Sequence, residues 1–240
     1  MTQILPDITV SHDGQLLQVR IKPNARARRM ILKLPVHSDM AVLTVPKRYS
    51  RAAAERFIRD QAGWLAAQFA GRTERIAFAK GVQLPIRGVY HQIIHQPGRR
   101  GTVWIESDQP TPQLCVTGAE AHLPRRVEDW LKRQARTDLE SAVMGHASEL
   151  GVRPKAIRIR DQKTRWGSCS AAGTLSFSWR IILAPPEISD YLAAHEVAHL
   201  RELNHSDRFW ALVDDLCPDA KRSRQWLREH GPELHAYGGG

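Results

Sequence analysis

Between Leu16 and Lys22 the chain reads "LLQVRIK", with Leu17, Val19 and Ile21 apolar and their neighbours mostly polar. A period of two predicts a strand with one buried face. "RMILKLP" (29–35) and "MAVLTVP" (40–46) predict two more strands, separated by turn residues. The period then changes. Phe57, Ile58, Trp64, Leu65 and Phe69 lie near helical spacing, which predicts a helix over 51–70, capped by Ser50 and stopped by Gly71. Short strands follow at "VYHQIIH" (89–95), "TVWIE" (102–106) and "QLCV" (113–116).

Helical spacing returns with Val127, Trp130, Leu131, Leu139 and Val143, predicting a long helix from Pro124 to Leu150 with Gly151 just past its end. "AIRIR" (156–160) alternates as a strand, and "TRWGSCS" and "GTLSFSWRIIL" flank the turn Ala171-Ala172-Gly173 as a hairpin. Pro185-Pro186-Glu187 opens a helix expected to run to residue 202. Strands first and helices later predict an α+β fold, with a β-rich part over 1–121 and a second part over 122–240.

Composition narrows the class. The 240 residues contain 42% hydrophobic positions, enough for a sizeable core, and no run approaches the ~20 apolar residues of a membrane span. The start "MTQILPDITVSHDG" lacks a charged segment followed by an apolar one, so no secretory signal is expected. Three cysteines, Cys115, Cys169 and Cys217, without CxxC spacing fit a reducing cytoplasm. "GGG" at 238–240 reads as a frayed end. The net charge of +10 is uneven: residues 1–121 carry 17 Lys and Arg against 9 Asp and Glu, and residues 122–240 carry 18 against 16. A basic N-terminal part suits an anionic partner such as nucleic acid, or simply keeps the chain soluble.

The candidate chemistry lies elsewhere, in "HEVAHLRELNH" (195–205). Residues four apart share a helix face, so His195 and His199 can aim two imidazoles at one ion. Glu196, one step round, can reach a water on the ion's open side as a general base. His205 supplies a third imidazole only if the helix stops and the chain turns back, and Asn204 tolerates the left-handed geometry of such a turn. Ser206 then caps a new helix, "DRFWALVDDL". Zinc suits three imidazoles plus one water. The spacing matches the metzincin pattern in length, but Glu202 stands where that pattern has glycine, and every methionine lies upstream. Arg180, Tyr191, His235 and Tyr237 are candidates for stabilising an oxyanion. Cys169 has no separate His–acid pair and is a poor nucleophile candidate.

"RWGSCS" (165–170), "LSFSWRIILAP" (175–185), "HEVAHLRELNHSDRFW" (195–210) and "WLREHG" (226–231) together resemble the YgjP-like metallopeptidase family, a zincin group related in motif to SprT- and WLM-type proteins. The resemblance runs from "ARARRMILKLP" onward. It implies a zincin-like domain with Zn²⁺ held by His195, His199 and His205, Glu196 as base, and a β-rich part ahead of it. It also implies a peptide or protein substrate. Two other readings stay open: a zinc hydrolase of nucleotides or phosphate esters, and a nucleic-acid-associated factor that processes bound proteins.

Overall fold

The computed structural model describes residues 7–35, 40–70, 75–162 and 164–238. The expected stop at Gly71 and the last two glycines lie outside these. The chain divides into two compact units, 1–72 and 73–240.

In the first unit, β1 (Ile8–His12), β2 (Gln15–Asn24), β3 (Ile31–Lys33) and β4 (Ala41–Pro46) form one sheet in the order β1-β2-β4-β3. Strand β1, unforeseen in the sequence, pairs antiparallel with β2 through the turn at Asp13-Gly14, both at positive φ. Leu17, Val19, Ile21, Ala41, Leu43 and Val45 turn inward and meet Ala54, Ile58 and Leu65. The single helix expected over 51–70 is two, α1 (Arg51–Asp60) and α2 (Ala62–Ala70). They part at Gln61, whose N–H is shared between the carbonyls of Phe57 and Ile58. Ser50 caps α1 as expected. The other sheet face is exposed. There Arg20 and Lys33 flank Val42 in register, and Lys22 stands beside Thr44.

Among the described residues the second unit holds two sheets and four α-helices. Strands β5 (Gln83–Ile86), β6 (Val89–His95), β7 (Val103–Glu106) and β8 (Gln113–Val116) pair in the order β5-β6-β8-β7. Strands β9 (Ala156–Arg160), β10 (Gly167–Cys169) and β11 (Thr174–Ser178) pair in the order β10-β11-β9, leaving β10 at an edge. Helix α3 (Leu123–Leu150) is the long helix expected, ended by Gly151 in the left-handed conformation. Its apolar stripe, Leu123, Val127 and Leu131, shares one core with Leu84, Ile93 and Leu114 of the first of these sheets. The boundary expected near residue 121 therefore falls inside a unit: α3 supplies the apolar surface that those strands need on their inner face.

The segment 179–183, expected to continue a strand, is a 3-10 turn, all of it buried. It leads into α4 (Pro186–Ala198). Nine of α4's thirteen residues are buried, Glu196 among them, as befits a helix enclosed on all sides. Helices α3, α5 (Asp207–Leu216) and α6 (Ala220–Leu234), with strand β10, surround it. No described helix is long and apolar enough to cross a membrane.

Candidate metal centre

Helix α4 ends earlier than its sequence suggests. The amides of Leu200 and Arg201 bond to the carbonyls of Val197 and Ala198, three residues back, which tightens and closes the last turn. His195 and Glu196 stand in that last turn, and His199 is the C-cap. The exit uses no left-handed residue: among the described residues only Asp13 and Arg87, besides glycines, have positive φ. Asn204 contributes its carbonyl instead, which accepts from the Ser206 amide at 2.8 Å. Ser206 caps α5 by accepting from the Phe209 amide, as expected.

The return brings His205 back. One ring nitrogen from each of His195, His199 and His205 lies within 4.8 Å of the others. His195 Nε2 and His205 Nε2 are 3.2 Å apart. His199 Nδ1 is 2.9 Å from the carbonyl oxygen of Glu202. A carbonyl only accepts, so Nδ1 carries the proton and donates it, and Nε2 keeps its lone pair. Burial and the neighbouring imidazole charges push the His195 pKa down to about 3, which keeps the ring neutral. Burial likewise lowers the pKa of His199, against the opposing bond to Glu202. Three imidazoles whose ring nitrogens converge are a donor set for a borderline-soft divalent cation.

An aromatic floor supports the rings. Phe209, fully buried, stacks on His199 at 4.4 Å and meets His195 and His205 edge-on at 4.9 and 4.8 Å. Trp210 stacks on His205 with centroids 5.7 Å apart, and the Arg224 guanidinium lies 4.6 Å from the Trp210 ring. In the sequence Phe209 and Trp210 stand only as part of the helix that Ser206 caps. Their position directly after the third histidine and its cap is the only signal that they do more.

Glu196 is 4% exposed, and burial pushes its pKa up to about 8, eased by the charge of Arg165. Its carboxylate lies against edge strand β10. A methyl group added at Gly167 would sit 2.8 Å from both Cγ and Cδ of Glu196. Glu196 Oε2 and His195 Nδ1 are buried without hydrogen-bond partners among the described residues.

The four oxyanion candidates scatter. Tyr191 alone lies beside the histidines, its ring 5.9 Å from that of His195. It is buried, and burial pushes its phenol up to about 12, so it keeps its proton and can donate. Arg180 is buried and paired with Asp161, its guanidinium 4.4 Å from the Trp179 ring. His235 stacks on Trp166 at 4.4 Å. Tyr237 is buried and lines a pocket whose walls lack the three histidines. Burial and the Glu196 charge raise the Cys169 pKa, so its thiol stays protonated and unreactive.

No curated protein matches the chain. Among solved structures, the crystal structure of the metallopeptidase zymogen of Pyrococcus abyssi abylysin is 26% identical over 38% of this chain and 93% of that chain. Its TM-score of 0.35 is too low to support an argument about fold or activity. The family described as YgjP-like, metallopeptidase domain, matches residues 28–230, which takes in α4, the returning His205 and most of the first unit. The chain belongs to the YgjP-like metallopeptidase family.

Proposed function

We propose that the protein is a zinc-dependent peptidase, with His195, His199 and His205 as ligands and Glu196 as general base. The observation that carries this is the convergence of three imidazole nitrogens beside a buried carboxylate on the same helix. The donor set fits the ion. Nitrogens at zinc-ligand distance in a tetrahedron are about 3.3 Å apart. The His195–His205 pair stands at 3.2 Å. The Glu202 carbonyl holds His199 in the tautomer that ligation requires.

A bound zinc ion supplies Lewis acidity and lowers the pKa of water. The chain's own groups do the rest. Glu196 is the proton acceptor: its buried carboxylate, with Oε2 unpartnered among the described residues, can take a proton and return it to a departing amine. Gly167 keeps space for that carboxylate. Strand β10, at its sheet edge, offers main-chain groups to an extended peptide by strand addition. Of the four candidate oxyanion donors, Tyr191 is the one beside the histidines.

The test is zinc content and peptide hydrolysis for wild type and Glu196→Gln side by side. The reading expects about one zinc per chain in both proteins and hydrolysis only in wild type. Zinc-free wild type, or equal activity in both, overturns it. Hydrolysis of nucleotides or phosphate esters with no action on peptides would support the alternative zinc hydrolase.

A second reading concerns partners. Residues 1–72 carry 12 Lys and Arg against 5 Asp and Glu, a net +7, and Arg20, Lys22 and Lys33 share the exposed sheet face. This supports nucleic-acid binding by the first unit. Binding that falls steeply with added salt is the expected result, and no binding at low salt refutes it.

A further inference from the structure

An opening of about 450 Å³ lies among the β5–β6 hairpin, the start of α4 and the last turns of α6. Its volume is in the range of small-ligand sites. Its walls include Tyr90, Pro185, Trp226, His230, Glu233 and Tyr237, and none of the three clustered histidines. Nothing in the proposed hydrolysis uses it.

The rim is firmly placed. The hairpin turn is pinned by the Arg87 and Gly88 amides, which donate to the carbonyls of Ile182 and Leu183. The Arg87 side chain holds Asp138 of α3 in a two-pronged pair at 2.7 and 2.8 Å. Gly88 lies so close to Pro185 that a methyl group there would sit 3.1 Å from the proline ring. Opposite, Tyr237 is tied to Ile76 by a backbone bridge. Tyr90 is thus an exposed side chain on a fixed backbone, 57% accessible.

The chemistry of the walls is one-sided. The Trp226 and His230 rings stack at 4.8 Å with 13° between planes. Exposed Tyr90 and buried Tyr237 line the opening together with Glu233. Glu233 is exposed and makes no ion pair among the described residues. Among the described residues no lysine or arginine lines the opening, although the chain carries 35 of them. Aromatic faces attract cations, a carboxylate does so more strongly, and proline and leucine surfaces suit an aliphatic stem.

We propose that this opening receives the cationic side chain, lysine or arginine, of a peptide or protein. An anion meets Glu233 there with no lysine or arginine among the described lining residues to offset it. An uncharged chain of the same length gains only the apolar contact.

The test needs neither metal nor activity. The full chain is titrated with the N-acetyl amides of lysine, arginine and norleucine, following the Trp226 indole N–H signal by NMR, with Trp226→Phe assigning the peak. Both cations should shift it saturably and bind at least about tenfold more tightly than norleucine. Glu233→Gln and Tyr90→Ala, both at exposed positions, should each weaken cation binding about fivefold or more and leave norleucine unchanged. Arginine binding more tightly than lysine would place the guanidinium on the Trp226 face, and the reverse order would place the ammonium against Glu233. The proposal fails if norleucine binds as tightly as the cations. It fails equally if neither variant weakens them, or if no ligand gives a saturable shift.

Discussion

Gly167 on edge strand β10 is packed against the carboxylate of Glu196 on α4, so closely that any side chain at 167 would occupy space held by that carboxylate. The two residues are 29 positions apart in sequence. The contact sets where the proposed base points.

Gly167→Ala should therefore separate metal binding from catalysis. The added methyl must move either β10 or the Glu196 side chain, and α4 is enclosed on all sides. Zinc content should stay at the wild-type level while peptide hydrolysis falls about 100-fold, the usual cost of moving a catalytic group by about an ångström. Overpacking should also lower stability by about 1–3 kcal/mol. Zinc content, hydrolysis rate and urea unfolding on the same preparation check all three.

Metal affinity should grade with distance from the ligands. His205→Ala removes a ligand and should weaken zinc binding more than about 100-fold. Trp210→Ala removes the ring stacked on His205 and should weaken it about tenfold. Arg224→Ala acts only through Trp210 and should have the smallest effect. Competition with a chromophoric chelator gives the order. Chelation of wild type should also lower the unfolding temperature, because ligand binding to the folded state alone stabilises it.

His146 on α3 is buried, its Nε2 2.8 Å from Asp190 Oδ1 on α4. That bond, aided by the Asp190 and Glu149 charges and opposed by burial, raises the His146 pKa. The sign follows from linkage. With the folded pKa above the unfolded value of about 6.5, the stabilisation is full below about pH 6.5 and lost as pH rises through the higher folded value. Asp190→Asn should destabilise the protein clearly at pH 5.5 and much less at pH 9. Urea unfolding at the two pH values checks it, and an equal loss at both would show that the charge plays no part.

Arg180 is paired with Asp161, and its side chain is only 2% exposed. Asp161→Ala leaves a buried guanidinium without its carboxylate and should cost at least about 2 kcal/mol. Arg180→Met fills similar volume without a charge and should cost less. Comparing the two by urea denaturation tests whether Arg180 is a structural ion rather than an oxyanion donor.

The local elements were legible where a period of two or 3.6 was strong: β2, β4, α3, the β10–β11 hairpin and α5. Less was legible at the breaks. Gln61 splits a helix through a shared hydrogen bond that no residue type announces. Strand β1 depends on its pairing with β2, and α6 was met only as a short motif. The end of α4 four residues before Glu202 follows from 3-10 closure, which leaves no mark on apolar spacing.

By itself the sequence determined the covalent opportunities: the i, i+4 histidines, the adjacent glutamate, the Ser206 cap and an α+β order of elements. These are local, fixed by helical geometry and hydrogen bonds between residues a few positions apart. Tertiary structure decided everything that depends on packing between distant segments. It put the boundary between units near residue 72, because α3 shares its core with strands β5–β8. It chose Tyr191 over Arg180, His235 and Tyr237 as the phenol or cation beside the histidines. It set Gly167 against Glu196 and Phe209 under the imidazoles. Burial, which only the folded chain creates, moved the pKa values of His195 and Glu196 in opposite directions by penalising the charged form of each.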